Sequence, residues 1–226
     1  IVVVPINPTI SLQEIEYVIN HSNAKLIVTS ENTIPKINVK FYESKNIQTL
    51  IISEKNLQEF QTLFWNINDL SLNDNFEPFF NLSSNDELAI VYTSGTTSEP
   101  KAVVHNISSL VENAHEFGKI VGIDKNSRFY NMLSLRYLGG YYNLLLLPYV
   151  CESSVVLTHT YDPKSILNFW EPVIKNKVNT LWLVPSIISI LLAFDRGNEG
   201  KNYCKQNIKF CLSGTAPLPY PIKLEF

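Results

Sequence analysis

Short apolar segments alternate with amphipathic stretches along the whole chain. From residue 12 onwards apolar side chains recur on one helical face, and Ser11 with Glu14 forms the pattern of a capping box. A second helix is predicted at residues 33–45. The predicted strands are residues 1–4, 25–29, 50–52, 87–92, 128–133, 155–157, 181–184 and 208–212. Strands alternating with helices predict an α/β fold of parallel sheets with covering helices.

The same pattern indicates two layers that meet near Asp124. We expect residues 1–124 to form a first βα layer, which ends with a hydroxyl-rich loop and the helix after it. Residues 125–226 would form a second, incomplete layer, and both would be parts of one truncated domain. The polar stretch Ser53–Asp86, rich in Asn, Asp and Ser, is predicted to be a connector.

Several helix ends and one kink can be predicted from single residues. Asn106 is expected to cap a helix that Gly118 ends. The pair Gly139–Gly140 begins an apolar helix. Pro172 is expected to kink the helix that Asp162 opens, because proline removes a backbone donor and crowds the preceding turn.

Composition and charge exclude several classes of protein. The chain has 226 residues, of which 45% are hydrophobic and 17% charged, so it is long and apolar enough for a substantial core. Its 18 basic and 21 acidic residues give a net charge of -3, which offers no basic surface for nucleic acid. Three cysteines without paired spacing favour neither disulfides nor a metal site and fit a cytoplasmic protein.

No membrane span is expected from the sequence. The most apolar run, residues 181–194, is interrupted by Pro185 and is shorter than the roughly 18 to 20 residues that a spanning helix needs. The chain opens inside an apolar run, its only methionine is Met132, and it stops where a helical pattern begins. We therefore expect an internal piece of a longer protein.

The segment Tyr92–Lys101 carries the strongest candidate chemistry. Residues 93–97 hold four hydroxyls and Gly95, and Lys101 follows that glycine by six positions. Hydroxyl and backbone N–H groups can donate to phosphate oxygens, and the lysine can offset negative charge. The Thr97 hydroxyl suits a magnesium ion bound to the phosphates. A solvated surface loop is the alternative that composition alone favours, and the spacing departs from the Walker pattern.

Residues 92–105 resemble the signature loop of the adenylate-forming superfamily, which includes acyl-CoA and aryl-CoA synthetases, luciferases and adenylation domains. That pattern reads Tyr-Thr-Ser-Gly-Thr-Thr-Gly-x-Pro-Lys-Gly-Val, with a histidine shortly after. The segments Val4–Pro8, Leu183–Ser186 and Ser213–Leu218 agree with the family in the same order. The resemblance covers essentially the whole chain and implies two incomplete βαβ layers of the superfamily's large N-terminal domain.

The resemblance implies a reaction in two steps. A small carboxylic acid attacks the α-phosphorus of ATP, which releases pyrophosphate and leaves an acyl-adenylate, and a thiol of CoA or a carrier protein then takes the acyl group. By matching position, Thr97 and Lys101 would be catalytic, and Thr97 would also ligate Mg²⁺. The residues implied to bind nucleotide are Thr93, Ser94, Gly95, Thr96, Thr97, Lys101, Gly214, Thr215 and Ala216.

These matches predict an AMP-forming acid–thiol ligase, similar to acyl-CoA synthetases, although this piece alone is expected to be inactive. The alternative is a non-catalytic nucleotide-binding or scaffolding relative. Two departures make that alternative conceivable: Ser98 stands where the family usually has glycine, and Tyr137 stands where histidine is common. Ala102 replaces a further glycine of the pattern.

Tyr137 and Gly139 are expected to line the acyl pocket, although packing of Tyr137 at the start of a helix remains an equal alternative. The surrounding stretch lacks the aspartate that amino-acid-activating members use for the substrate ammonium, so an ordinary carboxylic acid is favoured. His105 is either a local hydrogen-bond partner or a site residue. The other histidines are expected to be solvated or locally satisfied; they are His21, His115 and His159.

Overall fold

The computed structural model describes residues 1–30, 32–33, 38–53, 63–66, 81–93, 100–158, 165–194 and 198–226. Within these residues the strands form three sheets. A parallel sheet contains β1 (Leu26–Ser30), β2 (Gln48–Ser53) and β3 (Leu63–Asn66) in that order. An antiparallel hairpin contains β4 (Glu87–Thr93) and β5 (Lys101–Asn106). A second parallel sheet has the order β7-β6-β8-β9, with β6 at Arg128–Asn131, β7 at Ser154–Leu157, β8 at Thr180–Leu183 and β9 at Phe210–Ser213.

In the described residues helices lie between β1 and β2 and between the successive strands β6, β7, β8 and β9, as parallel pairing requires. The α-helices are α1 (Leu12–His21), α2 (Val39–Ser44), α3 (Asn113–Val121), α4 (Leu138–Tyr141), α5 (Leu147–Val150), α6 (Trp170–Lys175), α7 (Pro185–Phe194), α8 (Glu199–Asn207) and α9 (Tyr220–Glu225). Short π-helical turns at Ser108–Glu112 and Tyr142–Leu146 precede α3 and α5, and a 3₁₀ turn at Ser165–Asn168 precedes α6. The predicted α/β class is confirmed.

Local sequence signals account for several helix starts. The capping box of α1 is confirmed: Glu14 N donates to Ser11 Oγ at 3.2 Å, and Ser11 N donates to Glu14 Oε2 at 3.0 Å. The side chain of Asn106 accepts from Ser109 N at 2.8 Å, which confirms the predicted cap. The helix predicted at residues 33–45 is shorter than expected, because it begins only after Asn38, whose side chain caps it.

Two apolar cores lie against the two parallel sheets. The larger core surrounds the second sheet and includes Phe129, Leu144, Val173 and Leu181, all with no exposed surface. The smaller core lies between α1, α2 and the first sheet; its buried members are Ile15, Ile19, Ile27, Tyr42 and Ile47. The second sheet is therefore the more extensively packed half of the described chain.

The prediction that residues 53–86 form a connector is wrong in part, because β3 lies inside this stretch. Strand β3 pairs in parallel with β2, where Ile51 lies opposite Phe64. The hairpin was also not predicted. Residues 102–104 lie within β5, where Val103 pairs with Val91 of β4. The opening segment forms one parallel bridge, from Val3 to Ala89, rather than a strand.

Gly118 does not end its helix, contrary to the prediction. Helix α3 continues to Val121 and ends at Gly122, whose φ of +85° is the left-handed conformation that glycine adopts readily. Gly118 is instead a packing position, because a Cβ there would lie 2.3 Å from the sulfur of Cys151. Cys151, which lies 33 positions later in the sequence, therefore leaves no room for a side chain at position 118.

The prediction that Pro172 kinks a helix is also wrong. Helix α6 begins at Trp170, so Pro172 lies in its first turn. Backbone N–H groups in a first turn have no intrahelical acceptor, and a proline there removes no hydrogen bond. The predicted start at Asp162 lies outside the described residues.

Candidate nucleotide and acid site

The middle of the hydroxyl-rich loop lies outside the described residues. This applies to Ser94, Gly95, Thr96 and Thr97, and also to Ser98, so their predicted roles stay predictions. The described candidates are the two ends of the loop, the turn that contains Tyr137, and the segment 214–216.

The hairpin holds the two ends of the loop together. Thr93 is the last residue of β4 and lies opposite Lys101, the first residue of β5. The Thr93 hydroxyl donates to the Lys101 carbonyl at 3.4 Å. Lys101 is exposed, and its ammonium forms no ion pair with the part of the chain that the structure describes. This leaves the charge of Lys101 available to an anionic ligand.

A cleft of about 350 Å³ opens beside these loop ends. Its walls come from the N-terminal segment, one face of α1, both ends of the loop and the turn before α4. The lining residues are Pro5, Ile6, Asn7, Ile10, Glu14, Val18, Tyr92, Thr93, Pro100, Arg136 and Tyr137. The volume falls within the range of small-molecule sites in proteins.

Tyr137 both packs and lines the cleft, so neither of the two alternatives excludes the other. Its ring lies over Gly139, where an added Cβ would approach Tyr137 Cε2 to 2.3 Å. The ring also contacts the larger core. Burial raises the pKa of the Tyr137 phenol, against an opposing effect of Arg136, so the phenol is neutral at physiological pH. Gly139 thus acts by making room for the ring that forms the wall.

Arg136 also lines the cleft, although it was not predicted to be a site residue. Its guanidinium forms no ion pair with the described residues. Glu14 lines the same cleft, but its carboxylate is engaged by the Ser11 hydroxyl and N–H, which lower the pKa of Glu14. Its place in the sequence could have indicated this role, because Arg136 immediately precedes Tyr137, which aligns with the family pattern.

Gly214, Thr215 and Ala216 lie elsewhere, directly after β9, and none of them lines this cleft. A Cβ at Gly214 would lie 3.2 Å from Trp182 Nε1, so a side chain there would crowd the indole. Thr215 has a φ of +71°, an uncommon conformation for a β-branched residue. Such strain occurs often in ligand-binding loops, which fits the predicted role of this segment.

The histidines differ in their surroundings. Nε2 of His105 is buried without a hydrogen-bond partner among the described residues, and the residue does not line the cleft. His115 is exposed and lies 3.5 Å from the Glu116 carboxylate, as expected for a solvated histidine. His21 is exposed but hydrogen-bonds to Tyr92, a distant contact that was not predicted. His159 lies outside the described residues.

The whole chain matches a known protein family. A family model described as AMP-binding enzyme matches residues 1–226. The chain belongs to the AMP-binding enzyme family. The resemblance inferred from the signature loop is thereby confirmed.

Relatives of this AMP-binding chain include CoA ligases. A sulfoacetate–CoA ligase from Cupriavidus necator is 24% identical over 219 residues, which is 97% of this chain and 40% of the relative. The human mitochondrial acyl-coenzyme A synthetase ACSM5 is 27% identical over 219 residues, which is 94% of this chain and 36% of the relative. The chain therefore spans about two fifths of the length of these relatives.

Solved structures show the same fold. The anthranilate CoA ligase AuaEII in complex with anthranoyl-AMP superimposes with a TM-score of 0.78 at 19% identity, over 99% of this chain and 42% of that one. ATP-bound MatB from Rhodopseudomonas palustris gives a TM-score of 0.74 at 18% identity, again over 99% and 42% of the two chains. At these identities the likeness establishes the fold alone.

Across the described ranges, no three His, Cys, Asp or Glu side chains come together as a metal-binding group. In the same residues no helix is both long and apolar enough to cross a bilayer.

Proposed function

We propose that the complete gene product carrying these residues is an AMP-forming acid–thiol ligase. It would activate a small carboxylic acid with ATP and pass the acyl group to a thiol. The observation that carries this proposal is the cleft, in which both ends of the hydroxyl-rich loop meet the turn of Tyr137. Membership of the AMP-binding enzyme family and the ligase names of its relatives support the proposal.

In the first step a carboxylate oxygen forms a bond to the α-phosphorus of ATP. The bond from this phosphorus to the oxygen that bridges to the β-phosphorus breaks, and pyrophosphate leaves with that electron pair. The loop residues supply donors to the phosphate oxygens; they are Thr93, Ser94, Gly95, Thr96 and Thr97. The exposed ammonium of Lys101 offsets the charge that accumulates on pyrophosphate, an effect that selectively stabilises the transition state.

The Thr97 hydroxyl would hold the Mg²⁺ ion that accompanies ATP. Phosphate and hydroxyl oxygens form a hard donor set of the kind that Mg²⁺ prefers, and Mg²⁺ commonly needs few protein ligands when phosphates are present. The absence of a three-residue metal group among the described side chains is compatible with this arrangement. The bound ion would neutralise phosphate charge.

The acid would occupy the part of the cleft that Tyr137 borders, with Gly139 holding space for the ring. The uncommitted cation of Arg136 favours an anionic group in the cleft, since Glu14 is already engaged by Ser11. The segment after β9 would take the adenine side through Gly214, Thr215 and Ala216. A Cβ at position 214 would force the Trp182 indole to shift by a few tenths of an ångström.

In the second step a thiolate attacks the acyl carbon, and AMP leaves with the oxygen that had joined carbon to phosphorus. The relatives named as CoA ligases support CoA as the acceptor, in preference to the thiol of a carrier protein. We propose a cytoplasmic location for this chemistry on the cysteine composition alone.

The test is an assay of the complete gene product with ATP, Mg²⁺ and a panel of carboxylic acids. We expect pyrophosphate release that needs both ATP and an acid, acyl-AMP in the absence of CoA, and acyl-CoA once CoA is added. Mass spectrometry identifies both products. ATP binding without pyrophosphate release, for every acid tested, would instead support the non-catalytic nucleotide-binding alternative and contradict the ligase proposal.

A further inference from the structure

Three aromatic rings join helix α1 to the strand that leads into the loop. His21 Nδ1 lies 2.8 Å from the Tyr92 hydroxyl, across 71 positions of sequence. The His21 ring stacks on Tyr17, with centroids 5.2 Å apart and planes inclined by 25°. Tyr92 meets Tyr17 and His21 edge-on, at centroid distances of 6.5 and 5.8 Å. The hydrogen bond with His21, a side-chain interaction with Ser22 and two ring contacts therefore hold the Tyr92 side chain.

Helix α1 carries this cluster on the face that borders the cleft. Glu14, Tyr17, Val18 and His21 follow one another at spacings of three, one and three residues, which places them along one side of the helix. Glu14, Val18 and Tyr92 line the cleft. Val18 is also buried, with 3% of its surface exposed, so α1 is anchored in the core at this level. The cluster thus joins two walls of one cavity.

Tyr92 is the second-last residue of β4, immediately before the end of the strand at Thr93. It pairs with Ala102 in the hairpin, one step before the final pair of Thr93 and Lys101. An isolated two-stranded hairpin is only marginally stable, so a side-chain attachment at its end contributes to its position. Burial raises the pKa of the Tyr92 phenol, with a further contribution from Tyr17, so the hydroxyl keeps its proton and can take part in the hydrogen bond.

We propose that His21 is a positioning residue for adenylate formation, because its hydrogen bond to Tyr92 fixes where the loop leaves β4 relative to the cleft. His21 itself does not line the cleft, so it would act through Tyr92. The effect on rate rests on the proposed function. The effect on the position of the hairpin end does not, and it can be measured without substrate.

A double-mutant cycle in the complete gene product tests the hydrogen bond. Tyr92→Phe removes the hydroxyl, and His21→Phe removes the ring nitrogen while keeping a ring to stack on Tyr17. Each single variant should lower kcat for adenylate formation by about two- to tenfold, the usual range for one net hydrogen bond. The double variant should lose no more than Tyr92→Phe alone, because both substitutions remove the His21–Tyr92 bond and only Tyr92→Phe also removes the interaction with Ser22. KM for ATP should change less than kcat, and the thermal midpoint should stay at the wild-type value.

A pair of conservative variants tests the geometry. The side-chain amide of asparagine places a polar atom near the position of Nδ1, whereas glutamine places its polar atoms one bond further out. His21→Asn should therefore recover most of the lost rate and His21→Gln should not. His115→Phe is the matched control, because His115 is an exposed histidine whose ion pair is with its neighbour Glu116.

Hydrogen–deuterium exchange over residues 88–93, without substrate, measures the hairpin end directly. Tyr92→Phe and His21→Phe should both increase this exchange, and their effects should not add, while His115→Phe leaves it unchanged. If the wild type forms adenylate and all three variants of the cycle match its rate, the inference is overturned and the proposed function stands. Suppose the wild type forms no adenylate with any acid: the proposed function fails, and unchanged exchange in the variants would then also exclude positioning by His21.

Discussion

The strands of the first and second parallel sheets are similarly apolar in sequence, but their side chains are buried to different extents. In the second sheet Phe129 and Leu181, on the central strands β6 and β8, have no exposed surface, although Leu157 on the edge strand β7 is 62% exposed. In the first sheet Ile51 is equally buried, yet Val28 is 55% exposed and Leu26 is 46% exposed. Alternating burial along β1 shows that, within the described residues, helices cover one face of the first sheet more fully than the other.

The difference extends to the two walls of the cleft. Tyr137 contacts the large core of the second sheet, so its ring is held by many neighbours. Thr93 and Lys101 end a two-stranded hairpin, which the aromatic cluster of α1 ties down. We therefore expect the Tyr137 wall to set which acid fits and the loop wall to set how fast the acid reacts.

The largest effect should separate the two sheets by stability. Phe129→Ala removes a fully buried ring and should lower the free energy of unfolding by about 3 to 5 kcal/mol. Val28→Ala removes methyl groups that are more than half exposed and should cost less than about 1 kcal/mol. Urea titrations of the complete gene product, followed by tryptophan fluorescence, measure both. Equal losses in the two variants would contradict the difference in burial between Phe129 and Val28.

The loop wall should control the rate. Thr97→Ala and Lys101→Ala should each slow adenylate formation by about 10- to 1000-fold, because in the proposed mechanism each residue stabilises charge in the transition state. The loss should fall mainly on kcat. Lys119→Ala is the matched control, since Lys119 is an exposed lysine paired with Glu116 on α3. Wild-type rates in both loop variants, across several acids, would remove the loop from the mechanism.

The Tyr137 wall should control selectivity. Tyr137→Ala enlarges the cleft and should change relative kcat/KM in favour of bulkier acids by roughly tenfold, about the effect of one or two methylene groups of space. Tyr137→Phe keeps the volume and should change selectivity much less. Straight-chain, branched and aromatic acids form the test panel. If neither variant alters the order of preference and only stability falls, Tyr137 has a packing role alone.

A smaller effect should come from Gly139, which faces the same ring. The methyl group of Gly139→Ala would overlap Tyr137 Cε2, so the ring must move and selectivity should change by less than about tenfold. The same substitution in a Tyr137→Ala background should have no further effect, because the overlapping atom is gone. Additive effects in the double variant would show that Gly139 influences the acid by another route.

Features set by neighbouring residues could be predicted from the sequence. The capping box at Ser11 and the cap at Asn106 depend on atoms three residues apart, and both are present. The alternation of strands and helices predicted the α/β class. The signature loop indicated the family through an ordered run of residue types.

Features set by distant contacts could not be predicted. Gly118 was interpreted as a helix end because nothing local reveals Cys151 against it. Strand β3 was missed because polar residues surround its short apolar run, and its strand character comes from pairing with β2. The bond between His21 and Tyr92 spans 71 positions and leaves no periodic signal. The signature loop could therefore be recognised from the sequence, whereas the contribution of α1 to the cleft could not.

Oxygen transfer from the acid to AMP tests the central claim most directly. The complete gene product would be supplied with ATP, CoA and an acid whose carboxylate carries ¹⁸O, and the AMP formed would be weighed by mass spectrometry. Attack of the carboxylate on the α-phosphorus predicts AMP that contains one ¹⁸O atom, because the thiol later breaks the bond between this oxygen and the acyl carbon. Unlabelled AMP, or ADP in place of AMP, would contradict adenylate formation by the complete gene product.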